Sequence, residues 1–235
     1  AQDVPEGVAV RHSKQQGFEV THVRILTHEA GRTLGKLPGN YVTLEHTDLA
    51  QADAQVQNDC AAIMAQQLRT MLPAHLSGAP ALVVGLGNKN ITPDALGPCA
   101  AGRIFVTRHL IENCSITQID GVPLNSVCAF SPGVLGVTGM QTEMVVRSVC
   151  AQLHPCCVLC IDALAAMSAA RLLCTIQLSD SGIAPGSGVG NHAQGLDQSA
   201  LGVPVIAIGV PTVVYASVLA AESAADTPHL AASNT

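Results

Sequence analysis

Aromatic side chains are nearly missing from this chain: its 235 residues hold no Trp, two Tyr and three Phe. Single-stranded nucleic acid is bound on aromatic stacking platforms, and this sequence offers none. Charge is sparse as well, at 12% of residues, and the net charge of −6 leaves no basic footprint for a duplex. No basic-then-apolar stretch opens the sequence, so no secretory leader is expected. The one long uncharged run, residues 200–221, could cover a bilayer by length. Pro204, Gly209 and Pro211 interrupt it, so it reads instead as a short strand at 205–208, a loop at 209–211 and a helix from 212. A Gly-x-Ser-x-Gly elbow is missing, which weakens a serine-hydrolase reading. No Lys-Ser or Lys-Thr follows the glycines at 186–190, which removes the P-loop reading. The third glycine of a dinucleotide fingerprint begun at Gly85-Leu86-Gly87 would fall on Asn90.

What remains is an apolar, small-residue chain. The hydrophobic fraction is 48%, carried by Ala, Val, Leu, Ile and Cys, a palette that suits parallel strands under helices. The nine cysteines form no spaced framework and several sit inside apolar runs, so free buried thiols in a reducing compartment are expected. His154, Cys156, Cys157 and Cys160 cluster in sequence, but Cys157 and Cys160 fall within one strand at a spacing that points them to opposite faces. No metal or other cofactor is expected there. Apolar runs at 81–84, 157–161 and 205–208 read as strands, as do 126–130 and 175–178, with further strands at 18–26 and 41–45. Helices are expected after Asp48-Leu49-Ala50-Gln51, over 94–111, after Thr138-Gly139-Met140-Gln141, over 164–173 and from 212. The alternation predicts one α/β domain over 1–235, three layers α/β/α with a mostly parallel central sheet. Residues 1–16 and 222–235 are expected to be flexible ends.

Two acids stand out. Gly85-Leu86-Gly87-Asn88 breaks strand 81–84 and delivers Asp94, while strand 157–161 runs directly into Asp162. Ligands in open α/β sheets bind at the carboxyl ends of strands. Each acid could merely cap a helix. Yet residues 91–98 and 156–170 hold no other charge, and an uncharged pocket raises a carboxyl pKa by desolvation, as does a neighbouring carboxylate. Such a pair titrates together, one member ionised and the other protonated, which suits acid/base work on a peptide. Gly87 and Asn88, in the turn, and Ser187, Gly188 and Asn191, in the long Gly-rich loop, are the candidate substrate-binding residues. His109 is the one histidine near the first motif and reads as a packed side chain or a site contributor.

The stretch from Leu82-Val83-Val84-Gly85-Leu86-Gly87-Asn88 to Thr92-Pro93-Asp94-Ala95-Leu96-Gly97-Pro98 resembles the germination proteases of spore-forming bacteria. So do Ser131-Pro132-Gly133-Val134, Ile161-Asp162-Ala163-Leu164-Ala165, Gly186-Ser187-Gly188-Val189-Gly190-Asn191 and Ile206-Ala207-Ile208-Gly209-Val210-Pro211-Thr212. The resemblance runs over residues 17–214 and implies an endopeptidase of atypical aspartic type. Its substrates would be small acid-soluble spore proteins, its catalytic pair Asp94 and Asp162, and its setting the cytoplasm of the forespore and spore core. It further implies a zymogen, a homotetramer, and a fold similar to that of hydrogenase maturation proteases. Two alternatives stay open: a metal-recognising maturation protease, which would need a histidine such as His109, and an inactive binding homologue.

Overall fold

The computed structural model describes residues 4–72, 78–184 and 195–226. Ten strands and eight helices follow in order: β1 (Val8–Gln15), β2 (Phe18–Ile25), α1 (His28–Leu34), β3 (Gly39–Glu45), α2 (Ala54–Met71), β4 (Ala81–Gly85), α3 (Leu96–Ala101), α4 (Arg108–Cys114), β5 (Gln118–Ile119), β6 (Val122–Pro123), β7 (Val127–Phe130), α5 (Leu135–Thr138), α6 (Thr142–Leu153), β8 (Cys157–Ala166), β9 (Thr175–Ser179), α7 (Gln198–Leu201), β10 (Val205–Val214) and α8 (Ala216–Asp226). Eight strands form one sheet in the order β1-β2-β3-β9-β10-β8-β4-β7, and β5 and β6 pair separately.

The sheet is mixed rather than mostly parallel. Pairings β10–β8, β8–β4 and β4–β7 are parallel, whereas β1–β2, β2–β3, β3–β9 and β9–β10 are antiparallel. The N-terminal strands extend the main sheet through β9, which runs against β10. Within the expected flexible start, residues 8–15 form β1 over its whole length, since β2 supplies a ladder for every residue from Val8 to Gln15.

Period-two alternation fixes which side chains meet which helices. Leu82, Val84, Val158, Cys160 and Val205 point to one face and pack against Val146 and Cys150 of α6 and Leu201 of α7. Phe18, Val20, Val42, Leu44, Leu178 and Ile208 point to the other and pack against Cys60 and Ile63 of α2. Helices therefore cover both faces. All nine cysteines are free, and burial pushes the thiols of Cys157 and Cys160 up to about 12, as expected of core packing residues.

Several local expectations give way to tertiary pairing. The helix after Asp48 starts later: α2 opens at Ala54, with the Asp53 carboxylate accepting from the Val56 N–H at 2.9 Å, and residues 49–51 form only a 3-10 turn. The helix expected over 94–111 splits into the 3-10 turn Thr92–Asp94, α3 and α4. Thr138 ends α5 instead of starting a capping box, and Gln141 precedes α6 without a side-chain cap. The Ala-rich stretch expected as a helix over 164–173 continues strand β8 to Ala166, because β10 offers it a parallel partner out to Val214. Alanine's helix preference is worth less than a ladder in a sheet. β10 likewise runs past the expected end at 208, with Pro211 at a register shift, where a missing N–H is tolerated. No helix of the described residues is long and apolar enough to cross a membrane.

Candidate active site

Asp94 closes the 3-10 turn Thr92–Asp94, which Pro93 opens with a preset φ. Its carboxylate accepts the Asn88 N–H at 2.7 Å. That bond exists because the chain reverses at Gly87, which has φ +109°, a conformation that a side chain resists. A Cβ on Gly87 would also collide with the Asp94 carbonyl and come within 2.9 Å of its Oδ1. The Asn88 side chain accepts from the Asn90 N–H at 3.0 Å and holds the turn itself. From the other side, Thr212 of β10 donates to the Pro93 carbonyl at 2.6 Å. α3 then lies close on the sheet because Gly85 and Gly97 leave no Cβ between its backbone and β4.

Asp162 sits inside β8, not at its end, opposite Gly209 of β10. It is only 5% exposed, and its carboxylate accepts the N–H of Ala163 at 2.9 Å. Desolvation pushes its pKa up to about 7, with the charge of Asp94 adding to the rise and the Ala163 N–H opposing it. Asp94 and Asp162 line one cleft of about 390 Å³. Its walls include Lys36, Ala163, Leu164, Ala165, Ala166, Met167, Arg171, Gln177, Pro211 and Tyr215.

Two cations in this cleft escaped the sequence reading. Lys36 is an exposed residue, yet its ammonium stands 4.8 Å over the Tyr41 ring and partial desolvation lowers its pKa. Tyr41 is itself fixed by donating to the Leu37 carbonyl at 2.7 Å. Arg171 comes from the short turn after β8. Among the described residues neither cation has a carboxylate partner within ion-pair distance. The only sequence signal for Lys36 was a lone lysine in the glycine-bounded turn Gly35-Lys36-Leu37-Pro38-Gly39.

The other candidates fall as follows. Gly87 and Asn88 stand against Asp94 and shape its turn, and they are not among the cleft-lining residues. Ser187, Gly188 and Asn191 lie outside the described residues. His109 belongs to a separate, shallower hollow of about 260 Å³ with Arg108, Glu112 and Cys128, away from the two aspartates. Among the described residues no three His, Cys, Asp or Glu side chains come together in a group that could hold a metal ion.

With the paired carboxylates placed, comparison with known proteins decides the family. The family model described as germination protease matches residues 1–227. The chain belongs to that family. It is 44% identical over 220 residues to a germination protease of Clostridium tetani, covering 94% of this chain and 67% of the relative. A germination protease of Caldanaerobacter subterraneus is 42% identical over 214 residues, covering 91% and 65%. One of Bacillus cereus is 43% identical over 211 residues, covering 89% and 57%. The chain thus spans between somewhat over half and two thirds of the length of these relatives.

Proposed function

We propose that the protein is an endopeptidase of spore germination that cuts small acid-soluble spore proteins by acid/base catalysis with Asp94 and Asp162. One observation carries the reading: two carboxylates distant in sequence line one cleft, and the more buried one is held near neutrality at about 7. Asp94, whose carboxylate accepts the Asn88 N–H, acts as the base that takes a proton from the attacking water. Asp162 carries the proton that the departing amine needs, because burial disfavours its charged form. The same reading places the protein in the forespore cytoplasm and spore core as a homotetramer made from a zymogen. Helices on both faces of the sheet support a likeness to the hydrogenase maturation protease fold.

The test is incubation with a purified small acid-soluble spore protein, followed by mass analysis. Discrete fragments are expected from the wild type, and none above background from Asp94→Asn or Asp162→Asn proteins that keep the wild-type circular dichroism. Cleavage by either variant at the wild-type rate refutes the two-aspartate mechanism. An intact substrate after incubation with the folded wild type refutes the peptidase. Cleavage abolished by a chelator and restored by a metal would favour the metal-recognising alternative.

A further inference from the structure

β8 is longer than its neighbour on one side. Its register with β4 ends at Gly85 opposite Ile161, whereas its register with β10 continues to Ala166. Beyond Ile161 the β4-side edge of β8 has no strand partner among the described residues. The direction of each backbone group follows from alternation. The Val158 N–H donates to Pro204, just before β10, at 2.9 Å, and the Ile161 carbonyl accepts from Leu86, just past β4, at 2.8 Å. Even-numbered residues of β8 therefore address β10, and odd-numbered ones address the β4 side. The Ala163 N–H on that side is taken by the Asp162 carboxylate. Among the described residues the Ala163 carbonyl and the Ala165 N–H and carbonyl meet no strand in that direction.

The residues that carry this edge line the cleft. Asp162, Ala163, Leu164, Ala165 and Ala166 all line it, together with Asp94. Its side chains are mostly methyl groups, so the main chain is within reach of a second main chain. An unpaired edge inside a cleft is a template for strand addition.

We infer that the protein substrate binds as an extended strand added to the β4-side edge of β8, pairing with the Ala163 carbonyl and the Ala165 N–H and carbonyl. This deepens the peptidase reading and rests on it. The added strand occupies the lane beyond Leu86, where the chain turns away at Gly87, and its course along β8 leads to Asp162. Main-chain pairing fixes the scissile amide relative to the two carboxylates without requiring a particular side chain at each position. It also demands that the cut segment be locally extended, which selects unfolded or loosely held stretches of a protein over helices.

A backbone N-methyl scan tests the inference. A synthetic peptide spanning the bond that the protein cuts in a small acid-soluble spore protein is methylated at one amide at a time, the scissile amide excepted. A strand on an edge aims every second N–H at its partner, so KM is expected to rise about tenfold at alternate positions beside the cut and to change little between them. Uniform effects, or none, overturn strand addition. In the protein, Ala165→Pro removes the edge donor and is expected to raise KM about tenfold for the unmethylated peptide with kcat held within about threefold. Ala165→Gly, which keeps the donor, should restore the wild-type KM. If Ala165→Pro does not fold, the methyl scan decides alone. A folded wild-type protein that cuts neither peptide nor protein overturns the peptidase reading and this inference with it. Cleavage without the two-residue alternation overturns only the strand.

Discussion

Asp162→Asn turns the burial of one carboxyl group into a measurable stability curve. The folded group titrates near 7 against an ordinary value of 3.8, raised first by desolvation and then by Asp94. Because the folded pKa is the higher one, the native state holds a proton that the unfolded chain has already released between those two values. Stability contributed by the neutral, buried group is therefore complete below about pH 4 and is lost as the pH climbs through 7. The gap is about three pH decades, and each decade is worth about 1.4 kcal/mol, so the penalty approaches about 4 kcal/mol above pH 7. Asn is neutral at every pH, has nearly the same shape, and its carbonyl can accept the Ala163 N–H that Asp162 now holds. The variant is thus expected to match or fall slightly below the wild type at pH 4 and to exceed it by about 2–4 kcal/mol at pH 8, while catalysis disappears. Urea unfolding of both proteins from pH 4 to pH 8 measures the difference directly. Parallel curves would show that Asp162 has an ordinary pKa, and the assignment of the proton to it would fall.

Three further outcomes are expected. Gly87→Ala forces a side chain into a positive-φ turn and against Asp94, so thermal unfolding should show a loss of about 1–3 kcal/mol and kcat should fall by more than about tenfold. Asp53→Ala deletes the side-chain cap of α2 far from the cleft, costing about 1 kcal/mol in a urea titration while peptide cleavage stays at the wild-type rate. Thr212→Val strips the Pro93 carbonyl of its donor, and the expected signature is a stability loss of about 0.5–1.5 kcal/mol with kcat reduced more than KM is raised.

Sequence by itself determined the strands that carry the core and the two acids worth watching. The runs at 81–84, 157–161 and 205–208 are apolar on both faces, as a strand covered on both sides requires, and each appears within the observed strand at its place. Asp94 and Asp162 were legible because each stands as the lone charge in a stretch that otherwise avoids charge. The helix expected after Asp48-Leu49-Ala50-Gln51 forms, though it starts later, because Val56, Cys60, Ile63, Met64 and Leu68 keep a single helical period over several turns.

Only the tertiary structure decided the rest. Residues 163–166 are strong helix formers that lie extended, because β10 runs alongside and its hydrogen bonds outweigh a local preference of tenths of a kcal/mol per residue. Whether β9 runs with or against β10 depends on the path between strands, which no local pattern encodes, and that choice joins the N-terminal strands to the sheet. Lys36 and Arg171 join the aspartates' cleft only once β3, β9 and β10 lie side by side, so their sequence neighbourhoods carry no sign of it. Local periodicity reports which face of an element is buried; the company that face keeps, and therefore the proton on Asp162, is set by strands brought together from across the whole chain.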